Sequence, residues 1–178
     1  TNTGTVNIAN ASNFRITGGT TNLGGSTAFT GTGSLTVSGG TANATTAIDP
    51  ANLIVSGGTL NLNTDMTLSG NVTLSSGTLG GTGNTTVSGP FSWTGGELGN
   101  SSGTNGTFTT TGAVTMNPGG AGNYGYLYLY RPWNLNSGGS FIADGASHSL
   151  LYFYNSASAI NVPSGQTLNI SDTTTDSN

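Results

Sequence analysis

Leu53-Ile54-Val55-Ser56-Gly57-Gly58-Thr59-Leu60-Asn61-Leu62 sets two short runs of alternating apolar residues on either side of a Ser-Gly-Gly turn. Alternation at period two points Leu53 and Val55 to one side of a strand, and Leu60 and Leu62 to one side of the next. The glycines between them supply the positive-φ backbone that a sharp corner needs. Working outward, the first pair recurs as Phe14/Ile16, Leu35/Val37, Leu53/Val55, Val72/Leu74, Phe91/Trp93, Val114/Met116, Trp133/Leu135 and Ile160/Val162, each ahead of a glycine turn. The steps between first members are 21, 18, 19, 19, 23, 19 and 27 residues, far beyond a helical period and suited to the length of a coil.

Two more columns keep the beat. After the turn come Thr21/Leu23, Ala42/Ala44, Leu60/Leu62, Leu79/Gly81, Leu98/Asn100, Phe141/Ala143 and Leu168/Ile170, with no clear member after Met116. Ahead of the first column come Ile8, Phe29, Ile48, Leu68, Val87, Phe108, Leu129 and Phe153. The pattern predicts one all-β domain over residues 1–172, a single-stranded parallel β-solenoid of about eight coils of 18–27 residues, with three short strands per coil. Residues 173–178 then form a polar tail or a linker to a next segment. Stacking is obligatory, because a lone coil has no internal partners for its backbone N–H and C=O groups.

Composition narrows the function classes. Of 178 residues 31 are glycine and only 4% are charged, which would suit a disordered chain were the apolar residues not placed at fixed intervals. Arg15 and Arg131 are the only strong bases and the net charge is −4, so nothing is present to neutralise a phosphate backbone and nucleic acid is excluded as a partner. Cysteine is absent, no apolar run approaches a membrane span, and no basic-then-apolar leader opens the chain. The expectation is a mature product or excised segment of a secreted, extracellular or cell-surface protein.

The segments 53–62, 66–79 and 91–98, with their Thr-Leu pieces and Phe91-Ser92-Trp93-Thr94-Gly95-Gly96, resemble the Gly/Thr/Asn-rich β-helical repeats of bacterial surface proteins. These are the autotransporter passengers and filamentous-haemagglutinin-like adhesins. The likeness implies a right-handed triangular β-helix and an adhesive or shaft-like role. It carries over no active site, since those repeats share no catalytic motif. Tyr124 to Trp133 departs from the repeats and marks what is particular to this chain.

β-Helices also carry polysaccharide-degrading enzymes, which need clustered carboxylates. The acids here, Asp49, Asp65, Glu97, Asp144, Asp172 and Asp176, fall on different coils or faces, with Glu97 in line with Thr78 and Thr59, and read as solvated corner residues. His148 sits in a polar turn with no second His or Cys to share a metal. No catalytic, cofactor or metal residues are therefore expected. Gly31-Thr32-Gly33 leads into a strand, which argues against a phosphate cradle, and Asn71-Val72-Thr73 is a glycosylation acceptor only in a eukaryotic secretory pathway. Ice binding would need an unbroken Thr file, but the outer file of the first column reads Arg15, Thr36, Ile54, Thr73, Ser92, Thr115, Asn134 and Asn161.

The unusual surface is aromatic. With Leu127 and Leu129 inward, alternation turns Tyr126, Tyr128 and Tyr130 outward, and Leu151-Tyr152-Phe153-Tyr154 repeats the arrangement one coil on. Tyr128 should then stack with Tyr152, and Tyr130 with Tyr154, while Arg131 adds a hydrogen-bond donor. Such a face is a self-contact, a platform for glycans, or a ladder that only stabilises the sheet. Neither end carries a helical or charged cap: Val6 and Ile8 begin the pattern at once, and Leu168 and Ile170 run into the tail. These four residues are the expected end-to-end contact, either between copies of the chain or within a longer solenoid.

Overall fold

The computed structural model describes residues 4–118, 125–143 and 149–172. Across them the chain winds as an all-β parallel solenoid of about seven turns, with no helix among the described residues. Eight rungs of one ladder enclose seven turns, which accounts for the difference from the eight coils expected. In the first ladder Ile16, Val37, Val55, Leu74, Trp93, Met116, Phe141 and Ile170 follow one another in register. In the second, Thr21, Ala42, Leu60, Leu79, Leu98, Leu129 and Phe153 do the same. A third runs Met66, Thr85, Phe108, Trp133 and Ile160, beside Leu68, Val87, Thr110 and Leu135.

In four coils the first two arms are one strand bent through a corner: Asn13–Leu23, Ser34–Ala44, Asn52–Leu62 and Asn71–Gly80. Pairing continues across each bend through a register irregularity, as between Val55/Ser56 and Thr59. The bulge lets the sheet turn without leaving backbone groups unpaired. Gly58 and Gly77 occupy successive corners at φ 64° and 73°, and a Cβ on Gly77 would collide with the backbone of Gly57 and Gly58 below it.

The apolar residues of all three ladders converge on one axis. Leu35, Val55, Leu74, Leu79, Leu98 and Leu129 are among those fully buried. Midway, the core is filled by aromatic rings: Trp133 sits 5.8 Å from Phe91, 5.9 Å from Phe108 and 6.0 Å from Trp93, edge to face. Trp133 Nε1 donates to Thr110 Oγ1 at 3.0 Å, so the polar end of this ring has a partner inside the core.

After Met116 the predicted columns slip by one ladder. Trp133 and Leu135 pair with Phe108 and Thr110 of the third ladder, and Ile160 follows Trp133 there. The first ladder is continued instead by Phe141 and Ile170, which had been assigned to the second. Leu129 and Phe153, expected in the third column, belong to the second, where Leu127/Leu129 fill the slot that had no member. Smaller shifts occur elsewhere: Phe29 pairs with Val6 and not Ile8, and Phe108 pairs with Thr85, two residues before Val87. The cause is that period-two alternation looks the same on every ladder, and only backbone register distinguishes them. With the slip corrected, Ser140 and Asn169 replace Asn134 and Asn161 in the outer file of the first ladder.

Tyr124, Asp144, His148, Asp176 and the tail 173–178 lie outside the described residues.

Candidate binding face

The outward positions of the second ladder form one continuous file. Backbone register aligns Thr20, Thr41, Thr59, Thr78, Glu97, Tyr128 and Tyr152. Two residues along, Asn22, Asn43 and Asn61 are joined by their side-chain amides, each Nδ2 donating to the Oδ1 one coil back at 3.2 and 2.9 Å. Gly80 takes the next place, and the missing side chain lets Asn100 reach past it to donate to Asn61 Oδ1 at 3.1 Å. Stacked amides of this kind fix their own orientation, because every donor has one acceptor along the axis.

A loop after Leu98 borders the file, its Ser101 and Ser102 lining a cleft there. Asn105 ties the loop together, accepting from Asn100 N at 2.7 Å and donating to Asn100 O at 2.9 Å and to Tyr130 O at 3.3 Å. Between loop and file lies an open cleft of about 340 Å³ whose lining includes Thr59, Asn61, Thr78, Glu97 and Asn100. On its floor Glu97 Oε2 accepts from Thr78 Oγ1 at 3.1 Å.

Beyond Glu97 the file becomes aromatic. Tyr128 and Tyr152 stack with centroids 5.5 Å apart and planes 14° apart. Tyr126 lies 6.1 Å from Tyr128, and Tyr154 lies 5.6 Å from Tyr128 and 5.3 Å from Tyr130. The structure thus brings all five named tyrosines into one patch, but not at equal depth. Tyr154 is 59% exposed and Tyr152 39%, whereas Tyr130 is 8% exposed beneath Tyr154 and is no part of an open surface.

Arg131 requires a larger correction. The expected donor on the tyrosine face is fully buried, with Nε donating to Gly106 O at 2.7 Å, Nη2 to Gly83 O at 3.1 Å, and the guanidinium 5.5 Å from the Phe108 ring centre. Burial pushes its pKa down to about 10. Its work is to tie the turns of two preceding coils to its own by donating to their carbonyls. The carboxylates also serve turns: Asp49 accepts from Ser69 N at 2.7 Å and Oγ at 2.6 Å, and Asp65 from Asn84 N at 2.8 Å. Among the described residues no three His, Cys, Asp or Glu side chains converge as metal ligands would.

The phenols of Tyr128 and Tyr130 resist ionisation. Burial raises both above the usual value near 10, followed for Tyr128 by Tyr154, Tyr152 and Glu97 and for Tyr130 by Glu97, Tyr154 and Tyr128. The fold favours the neutral phenol, so this contribution to stability is whole below pH ~10 and is lost as pH rises through the folded values. Spectrophotometric titration should therefore show two tyrosines ionising later than free tyrosine, and Glu97→Gln should move both midpoints down. Unchanged midpoints would place Glu97 away from the rings.

Compared with protein-family models, curated proteins and solved structures, the chain matches none of them.

The sequence pointed to the tyrosines and missed what they adjoin. Glu97 was aligned with Thr78 and Thr59, as the register bears out, but its other neighbour, Tyr128, was assigned to a different column. The unfilled second-column slot after Met116 was the available signal: placing Leu127/Leu129 in it sets Tyr128 directly against Glu97.

Proposed function

We propose that this chain is a non-catalytic structural and adhesive β-solenoid of a bacterial cell surface or extracellular fibre. In this reading it is a right-handed triangular β-helix with three strands per coil, extended through its end coils by further coils of the same kind. The observation that carries the reading is the exposed end of the core. Phe153 follows buried Leu129 in register and Ile170 follows buried Phe141, yet they are 53% and 75% exposed. With Val162 and Leu168 they border an apolar depression of about 410 Å³. Among the described residues the strands Ser149–Phe153, Ala159–Asn161 and Leu168–Asp172 are each paired on one side only. One further coil would cover these side chains and complete the backbone pairing together. Val6 and Phe14, half-buried or less at the opposite end, offer the matching surface.

Electron microscopy and sedimentation of the purified chain test this directly. Fibres or mass growing with concentration are expected, and Phe153→Asp with Ile170→Asp should return short single particles of unchanged circular dichroism. Wild-type protein that stays monodisperse at high concentration would rule out assembly through these ends. A second reading, glycan binding, is favoured by the Tyr128–Tyr152 stack, in which Tyr128 is half-buried and Tyr152 exposed.

A further inference from the structure

We propose that the ligand of this face is a neutral polysaccharide, lying lengthwise along the second ladder and held at two adjoining places, the Tyr128–Tyr152 stack and the polar cleft floored by Thr78 and Glu97. The inference rests on the glycan reading and adds its ligand class, its direction and its second half. Glu97 pairs with Thr78 on one side and Tyr128 on the other, so cleft and stack occupy successive rungs about 4.8 Å apart. A chain of sugar rings needs this combination: apolar ring faces meet aromatic surface while hydroxyls meet fixed donors and acceptors.

The cleft supplies both kinds of group without a counter-charge. Asn61 and Asn100 offer amides, Thr59 and Thr78 hydroxyls, and Glu97 a carboxylate that accepts from sugar hydroxyls. The two arginines of the chain are engaged elsewhere, Arg131 inside the core and Arg15 on Ser38 Oγ at 2.8 Å on the first ladder. With Glu97 on the floor and a net charge of −4, a uronate, sulfated or sialylated chain meets repulsion and no partner. Direction follows from register: Thr59, Thr78, Glu97, Tyr128 and Tyr152 succeed one another from coil to coil, so a ligand that touches both cleft and stack runs along the axis. Thr41, itself in the lining of the cleft, and Thr20 beyond it prolong the hydroxyl file, so longer chains gain contacts that short ones lack.

Affinity electrophoresis of the full chain through gels containing a β-glucan, a mannan, a xylan or a polyuronate tests both layers. Retardation by at least one neutral polymer, increasing with polymer length, is expected, with none by the polyuronate. Tyr152→Ala, Glu97→Ala and Asn100→Ala should each weaken retention about tenfold, the scale of one lost stacking or charged hydrogen-bond contact. All three side chains are at least partly exposed, and an unchanged unfolding midpoint confirms that each variant folds. No retardation of wild type by any polymer overturns the glycan reading itself. Retention lost in Tyr152→Ala but intact in Glu97→Ala and Asn100→Ala leaves that reading standing and overturns the cleft. Preferential retention by the polyuronate overturns the neutral ligand.

Discussion

Gly77→Ala is expected to lower the thermal unfolding midpoint by about 6–20 °C, while Gly18→Ala leaves it nearly unchanged. Gly77 holds φ at 73°, and a Cβ there would meet Gly57 C at 2.7 Å and crowd the Gly58 carbonyl, backbone atoms of the coil below that cannot swing aside. Left-handed backbone costs an L-residue about 1–2 kcal/mol, and forcing two paired coils apart brings the total to roughly 3–5 kcal/mol. In a chain of this size each kcal/mol corresponds to about 2–4 °C. Gly19→Ala separates the two causes, since Gly19 has φ 65° but open space around its Cβ direction. Calorimetry should rank the losses Gly77, Gly19, Gly18; equal losses at Gly77 and Gly19 would mean that coil-to-coil crowding plays no part.

Trp133→Ala is expected to cost about 3–5 kcal/mol by denaturant unfolding, the range for emptying a fully buried large aromatic site. The ring is fully buried, touches Phe91, Phe108 and Trp93, and gives Thr110 Oγ1 its donor. A solenoid has no second layer to refill such a hole, because each coil contacts chiefly its neighbours. Trp133→Phe should recover part of the packing but not the hydrogen bond, and so fall between wild type and alanine. A loss below about 1 kcal/mol for Trp133→Ala would show that the third ladder does not run through this residue.

The candidate binding face was half legible. Leu-Tyr alternation in Tyr126 to Tyr130 and Leu151 to Tyr154 settled which residues share a side, because that depends only on the pleat. That Glu97, Asn100 and Asn61 adjoin the rings depends on which coil stacks on which. The segments after Leu98 and Met116 lengthen the coils there, and apart from the empty second-column slot no signal states where a long coil rejoins its ladder. Tyr130 and Arg131 show the same limit at the level of one side chain. Alternation and hydrophilicity place both outside, while Tyr154 covers the first and the turn carbonyls of Gly83 and Gly106 draw the second inward.

From its residue pattern alone this chain specifies a parallel stack of coils. Apolar pairs returning about every twenty residues, with glycine at the bends, admit few other ways to bury the pairs and satisfy the backbone. Tertiary structure alone decided which ladder each pair after Met116 joins, and with it the meeting of an acid, an amide and a tyrosine stack on one face. The reason is physical: inward alternation is a property of each strand by itself, whereas register is a hydrogen-bonded relation between strands some twenty to thirty residues apart.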